Sequence, residues 1–139
     1  MIIYADEYQT LNYLTSKSLL EVQWSQASSQ LRQQNYRSKL LNLAYYLKYS
    51  KPKKVLANLE NLTYKGEFDF KPHFYKFINT VISKNGIGKI ALVKSGDMIT
   101  QIVIDDLLRH LKPETIEFQL FDTYEKAQSW LNKDLQMAS

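Results

Sequence analysis

The sequence predicts an α/β domain: a single mixed, mostly parallel β-sheet with an N-terminal antiparallel hairpin and four helices. Two observations predict it. Two runs of period-two hydrophobicity, QTLNYL and SLLEVQW, flank the polar stretch TSKS. Beyond them, three short apolar runs (KKVLANL, KIALV and TIEFQLF) alternate with longer segments of helical periodicity. Strands that alternate with helices in this way pair in parallel through right-handed crossovers.

The elements follow in order. In SLLEVQW, Leu20, Val22 and Trp24 alternate with Glu21, Gln23 and Ser25, which marks a strand with one buried face. Leu11 and Tyr13 around Asn12 give its partner, and TSKS supplies turn chemistry. SQASSQ breaks the alternation and offers hydroxyl caps to a helix. From Leu31 the period changes. Leu31, Leu40, Leu43, Ala44 and Leu47 share one helical stripe, Arg32, Arg37, Lys39 and Lys48 lie mostly off it, and Pro52 stops the helix.

KKVLANL is the next strand, followed by the loop NLENLTYKGEFDF. Phe70, Phe74, Phe77, Ile78, Val81 and Ile82 then mark a second helix, with Asp69 as its N-cap, Pro72 in its first turn and Asn85-Gly86 at its end. KIALV is apolar on both sides, as a central parallel strand should be. SGD opens a third helix carrying Ile99, Val103, Ile104, Leu107, Leu108 and Leu111, and Pro113 follows it. In TIEFQLF, Ile116, Phe118 and Leu120 alternate with Glu117 and Gln119. DTYEKAQSWL is the last helix; Asp122 and Glu125 have capping-box spacing, and Tyr124, Ala127, Trp130 and Leu131 form its inner face. Residues 1–133 read as one domain and 134–139 as a frayed tail.

Composition narrows the function classes. A chain of 139 residues should bury roughly two-thirds of its unfolded surface and needs no staples. The absence of cysteine excludes disulfides, thiolate nucleophiles and cysteine-based metal sites. MIIYADEYQT has no basic region leading into a long apolar run, so no signal peptide is expected. The apolar runs are only a few residues long, against the ~20 that a membrane span needs. A soluble, cytoplasmic protein is the expectation. The net charge of +4 is unevenly placed: residues 31–65 hold eight bases against Glu60 alone.

Several motifs invite chemistry and are answered by structure. Gly86-Ile87-Gly88-Lys89 ends a helix and precedes a strand, the reverse of a phosphate-binding loop, and reads as a helix C-cap. Lys94-Ser95-Gly96-Asp97 does sit at a strand's carboxyl end, where open α/β sheets take ligands. Lys94 and the amides of Ser95 and Gly96 suit an anion, while Asp97 as N-cap would occupy those donors. No Gly-x-Ser-x-Gly elbow surrounds Ser95. His73 and His110 are the only histidines; Asp105 and Asp106 give His110 a neighbour one turn away, but neither a triad nor a metal set. YYLKYSKPKK interleaves tyrosines with Lys48, Lys51, Lys53 and Lys54, which suits a nucleic acid, an acidic protein, anionic lipid or simply a helix C-terminus.

The element order, with KIALV central and FQLFDTYEKAQSWL at the end, resembles the SpoIIAA-like branch of the STAS superfamily from about residue 19 to 131. These are small bacterial domains related in fold to anti-sigma-factor antagonists and more distantly to the CRAL-TRIO lipid-transfer fold. The resemblance implies a regulatory phosphoserine in an Asp-Ser-x-Gly turn at the position of NLTYKGEFDF. This chain has no Asp-Ser pair there, and its nearest hydroxyls are Thr63 and Tyr64.

The function expected is therefore a non-catalytic STAS-like binding or regulatory module without that switch. It would act on a protein partner or small ligand, a second copy of itself included, without metal or cofactor. The alternative is a small-ligand or lipid carrier with a pocket between helix and sheet. Nucleic-acid binding through residues 48–54 ranks third. Tyr64, Lys65 and Glu67 are the contact residues of an exposed recognition loop, Lys94 and Ser95 a second candidate contact, and Lys48, Lys51, Lys53 and Lys54 the basic one.

Overall fold

The computed structural model describes residues 1–64, 72–111 and 115–137, and within them the side chains of all but 33, 34, 72–74 and 134–137. Six strands form one sheet in sequence order: β1 (Ile2–Ala5), β2 (Gln9–Leu14), β3 (Leu19–Trp24), β4 (Lys54–Asn58), β5 (Lys89–Val93) and β6 (Glu117–Phe121). β1, β2 and β3 pair antiparallel, and β3 to β6 pair in parallel. The helices are α1 (Gln33–Ser50), α2 (Pro72–Lys84), α3 (Met98–His110) and α4 (Tyr124–Met137). This is the α/β fold that the alternation predicted.

Strand order places the helices. Right-handed crossovers that all step in one direction leave α1, α2 and α3 on one face of the sheet. Strand alternation then divides the core. Leu20, Val22, Val55, Ile90 and Leu92 face that helix layer. Leu19, Leu56, Ala91 and Val93 face α4, which packs Ala127 and Leu131 onto them. Small residues at Ala91 and Ala127 let the α4 backbone approach the sheet closely, whereas α1–α3 stand further off.

β1 adds an edge strand that the sequence reading treated only as a stretch without a signal peptide. It exists because Asp6 closes a tight turn, accepting the amides of Tyr8 and Gln9 at 2.7 Å each. The Met1 ammonium also donates to the Tyr13 carbonyl at 2.9 Å.

Several local expectations are corrected. α1 begins at Gln33 with Arg32 as its N-cap and no side-chain cap; SQASSQ forms a 3₁₀ turn (Gln26–Gln30) instead, so Leu31 lies outside the helix. α4 is capped by Thr123, whose Oγ1 accepts the Lys126 amide at 3.2 Å, rather than by Asp122. The helix runs from Tyr124 to Met137, with no proline or glycine in its length. Phe77 and Ile99, expected on inner faces, are exposed. Asp69, Phe70, Pro113 and the side chain of Phe74 lie outside the described residues.

The helix stops hold. Lys51 turns α1 off in a left-handed C-cap at φ 47°, donating its amide to the Leu47 carbonyl at 2.9 Å before buried Pro52. Gly86 adopts φ 80° between α2 and β5, which is the turn read from NGIGK.

Candidate functional site

The two loops at the carboxyl end of the parallel strands do meet. The Ser95 hydroxyl donates to the Leu62 carbonyl at 2.8 Å, and the Gly96 amide to the Glu60 carbonyl at 3.1 Å. The approach is close: a Cβ added at Gly96 would lie 3.3 Å from that same oxygen, a tight contact. The Ser95 amide donates to Gln101 Oε1 at 2.8 Å, and Asp97 caps α3 by accepting the Thr100 amide at 2.9 Å. Lys94 forms an exposed pair with Asp122 at 3.6 Å. Ser95 and the Gly96 amide are therefore engaged within the fold, and Lys94 faces a carboxylate.

Tyr64 is not the exposed contact residue that was expected. It is buried at 4 % exposure, its amide donates to Thr100 Oγ1 at 2.8 Å, and its ring stands edge-on to Tyr36 at 4.5 Å. The physical reason is that Leu59, Leu62 and Tyr64 all turn into the core, so this part of the loop is a packed connection. Thr63 is held there too, its amide donating to Ser28 Oγ at 3.1 Å. Lys65 and Glu67 lie outside the described residues.

The basic segment splits at its last member. Lys48, Lys51 and Lys53 are exposed. Lys54 has entered β4 and points to the opposite face, where Nζ donates to the Leu131 carbonyl of α4 at 2.6 Å. It is a structural lysine, because one step along a strand reverses the face.

His110 stacks on Tyr75 with ring centroids 4.6 Å apart. Its Nδ1 lies 2.8 Å from the backbone carbonyl of Asp106, which fixes the proton on that nitrogen, while the Asp106 carboxylate takes Arg109 at 3.2 Å. The His110 ring thus meets the Asp106 backbone and not its carboxylate. Among the described residues no three histidines or carboxylates converge on a metal position.

The feature that stands out lies between α1–α3 and the sheet. A cavity of about 180 Å³ is walled by Trp24 of β3, Ala57 of β4, Leu92 of β5, Ala44 of α1, Ile78 of α2 and Val103 of α3, among others. Two of its polar wall groups, Thr100 and Tyr36, are satisfied elsewhere. Thr100 Oγ1 donates to Asp97 Oδ2 at 2.7 Å and accepts the Tyr64 amide. The single Tyr36 hydroxyl proton is shared between the carbonyls of Ser28 and Thr63, and burial pushes that phenol up to about 12. The wall is in effect hydrocarbon and aromatic ring.

A second hollow, shallower and of mixed polarity, lies between Gln119 and Phe121 of β6 and Glu125, Ser129, Trp130 and Lys133 of α4.

Trp24 and Tyr36, 6.0 Å apart, belong to the cavity wall without having been singled out as site residues. Alternation marked Trp24 as core, and no local pattern distinguishes a core side chain from a wall of a void. No family model, curated protein or solved structure matches the chain. No helix among the described residues is long and apolar enough to cross a membrane.

Proposed function

We propose that the protein is a non-catalytic binding module whose ligand is a small apolar molecule, or the apolar end of a larger one, held between α1–α3 and the sheet. The hollow carries this reading: about 180 Å³, walled by apolar side chains of the sheet and of α1–α3. A guest that contacts those walls would remove apolar surface, its own and the protein's, from water. The volume exceeds the ~150 Å³ that suffices for a benzene-sized guest. With the Thr100 and Tyr36 hydroxyls already paired and the rest of the wall almost wholly apolar, the cavity favours apolar over polar guests.

A STAS-like regulatory role through a protein partner stands as the parent proposal for the architecture, supported by the element order alone. The cavity reading is preferred because Tyr64, offered as a surface contact, is buried.

The test uses the chain's own reporters. There are two tryptophans, Trp24 in the cavity wall and Trp130 on the α4 face, so Trp130→Phe leaves Trp24 as the sole indole. Titration with a brominated medium-chain fatty acid and with naphthalene should quench Trp24 saturably, and native mass spectrometry should show a one-to-one adduct. Linear, unsaturable quenching together with an unchanged melting temperature at high ligand would refute binding in the cavity.

A further inference from the structure

The chain carries no acidic residue between Glu21 and Glu60, and α1 lies wholly within that window. Its inner face walls the cavity with Leu40, Leu43, Ala44 and Leu47. Its outer face is not the polar surface that a half-buried helix normally presents. Leu41, Tyr45 and Tyr49 follow at four-residue spacing and are 42 %, 62 % and 75 % exposed. The two tyrosine rings run nearly parallel, 6.5 Å apart at 10°.

Exposed Lys48 sits between those tyrosines, and exposed Lys51 and Lys53 follow at the turn. The fold brings two further exposed lysines to the same end. Lys53 donates its amide to the Ser18 carbonyl at 3.0 Å, which places Lys17 beside it. The Lys53 carbonyl accepts the Gly88 amide at 2.8 Å, which brings in the turn after Lys84 of α2. Among the described residues none of these lysines forms an ion pair. The C-termini of α1 and α2 contribute about half a negative charge each, so they offset roughly one lysine of the five.

We propose that this basic, tyrosine-bearing end of the molecule docks on an anionic lipid bilayer, the phase from which an apolar ligand would be drawn or to which it would be returned. The purpose assigned to the docking rests on the ligand-binding reading; the docking itself does not. Lysine stems lie along apolar surface while their ammonium groups reach phosphate. Tyrosine rings settle at headgroup depth with the hydroxyl in water. A leucine on the same stripe adds burial that a purely electrostatic contact with nucleic acid would not use. A nucleic acid would in addition be tracked by a groove, and these residues stand on the outer surface of a helix.

The experiment is flotation with vesicles of phosphatidylcholine, either alone or with about a third phosphatidylserine, at low and high salt. The protein should float with the anionic vesicles only. It should be released near 1 M salt, where the screening length falls from ~10 Å to about 3 Å. Replacing Lys48, Lys51 and Lys53 together by Gln should weaken binding on the order of 100-fold, at about five-fold per lysine near the surface. Melting temperature should stay unchanged. Tyr45→Ala with Tyr49→Ala should weaken it further at constant charge.

Equal binding to neutral vesicles, or full binding by the lysine variant, overturns the proposal. Capture by a single-stranded oligonucleotide with no flotation replaces it with nucleic-acid recognition. Trp24 quenching is measured on the same samples. Quenching lost with flotation kept removes the cavity reading alone, and flotation lost with quenching kept removes the docking alone.

Discussion

Asp6 ties the N-terminal edge of the sheet to α1. Its carboxylate pairs with Lys39 and accepts the Tyr4 hydroxyl at 2.6 Å, beyond the two turn amides already described. Partial burial pushes this carboxyl up, but the hydrogen bonds from Lys39, Tyr4 and the amides of Gln9 and Tyr8 outweigh it and hold it at about 2. An unfolded aspartate titrates near ~3.9, so the contribution is complete above about pH 4 and is lost as pH falls through 2. Asp6→Asn should lower stability by about 1–3 kcal/mol at neutral pH and flatten that acid limb, read by denaturant melts across pH. A variant with an unaltered acid limb would place the effect elsewhere. At the other extreme, Tyr124 donates its hydroxyl to the buried Glu21 carboxylate at 2.6 Å. Burial, and then that carboxylate, raise the phenol well above its ordinary value. A raised pKa contributes stability that is complete below about pH 10 and lost as pH climbs beyond it. Tyr124→Phe should cost about 1–3 kcal/mol at neutral pH, because it removes the hydroxyl that Glu21 accepts in a buried setting, and it should soften the alkaline loss.

Among the elements, α4 shows how a helix can be held by its small residues. Ala127 and Leu131 are 0 % and 1 % exposed, whereas Trp130 is half-buried, tilted against Phe121 at 5.6 Å, with Lys89 Nζ 4.9 Å from its ring centre. Leu131→Ala should therefore cost about 2–5 kcal/mol, and Trp130→Ala less than the 3–5 kcal/mol of a fully buried aromatic. Parallel urea melts check the order; a larger loss for Trp130→Ala would make the aromatic the anchor. The inner face of α4 was legible because Tyr124, Ala127, Trp130 and Leu131 keep helical spacing over an uninterrupted run. Its cap was not, because Asp122 and Thr123 are both good N-caps and adjacent, and only the backbone decides which hydroxyl or carboxylate reaches the Lys126 amide. One member of the basic segment was misplaced for a related reason: Lys53 precedes the strand and is exposed, whereas Lys54 begins it and is turned by its alternation onto the α4 face.

At the scale of the whole molecule, the alternation of strands and helices was legible because periodicity is local and repeated, so the sheet could be read from KKVLANL, KIALV and TIEFQLF. The cavity could not, because a void is a sum over side chains from seven elements, and each contributor (Trp24, Ala44, Leu92) looks like ordinary core. The same sum yields a prediction. Ala44 is 4 % exposed and faces the void from α1, where leucine is nearly as good a helix former as alanine. Ala44→Leu adds three carbons that extend into the hollow, so overpacking strain should be small and wall contacts should increase. Stability should rise by about 1–2 kcal/mol, the usual return for filling a cavity. The melting temperature should rise by roughly 3–4 °C per kcal/mol for a chain of this size. Apolar ligands should bind more weakly to the same variant, since the side chain and the guest compete for one volume. The two readouts are linked by the physics, and calorimetry with Trp24 quenching measures both. A destabilised variant that binds ligand normally would mean that α1 already packs tightly at Ala44 and that the void lies beyond its reach.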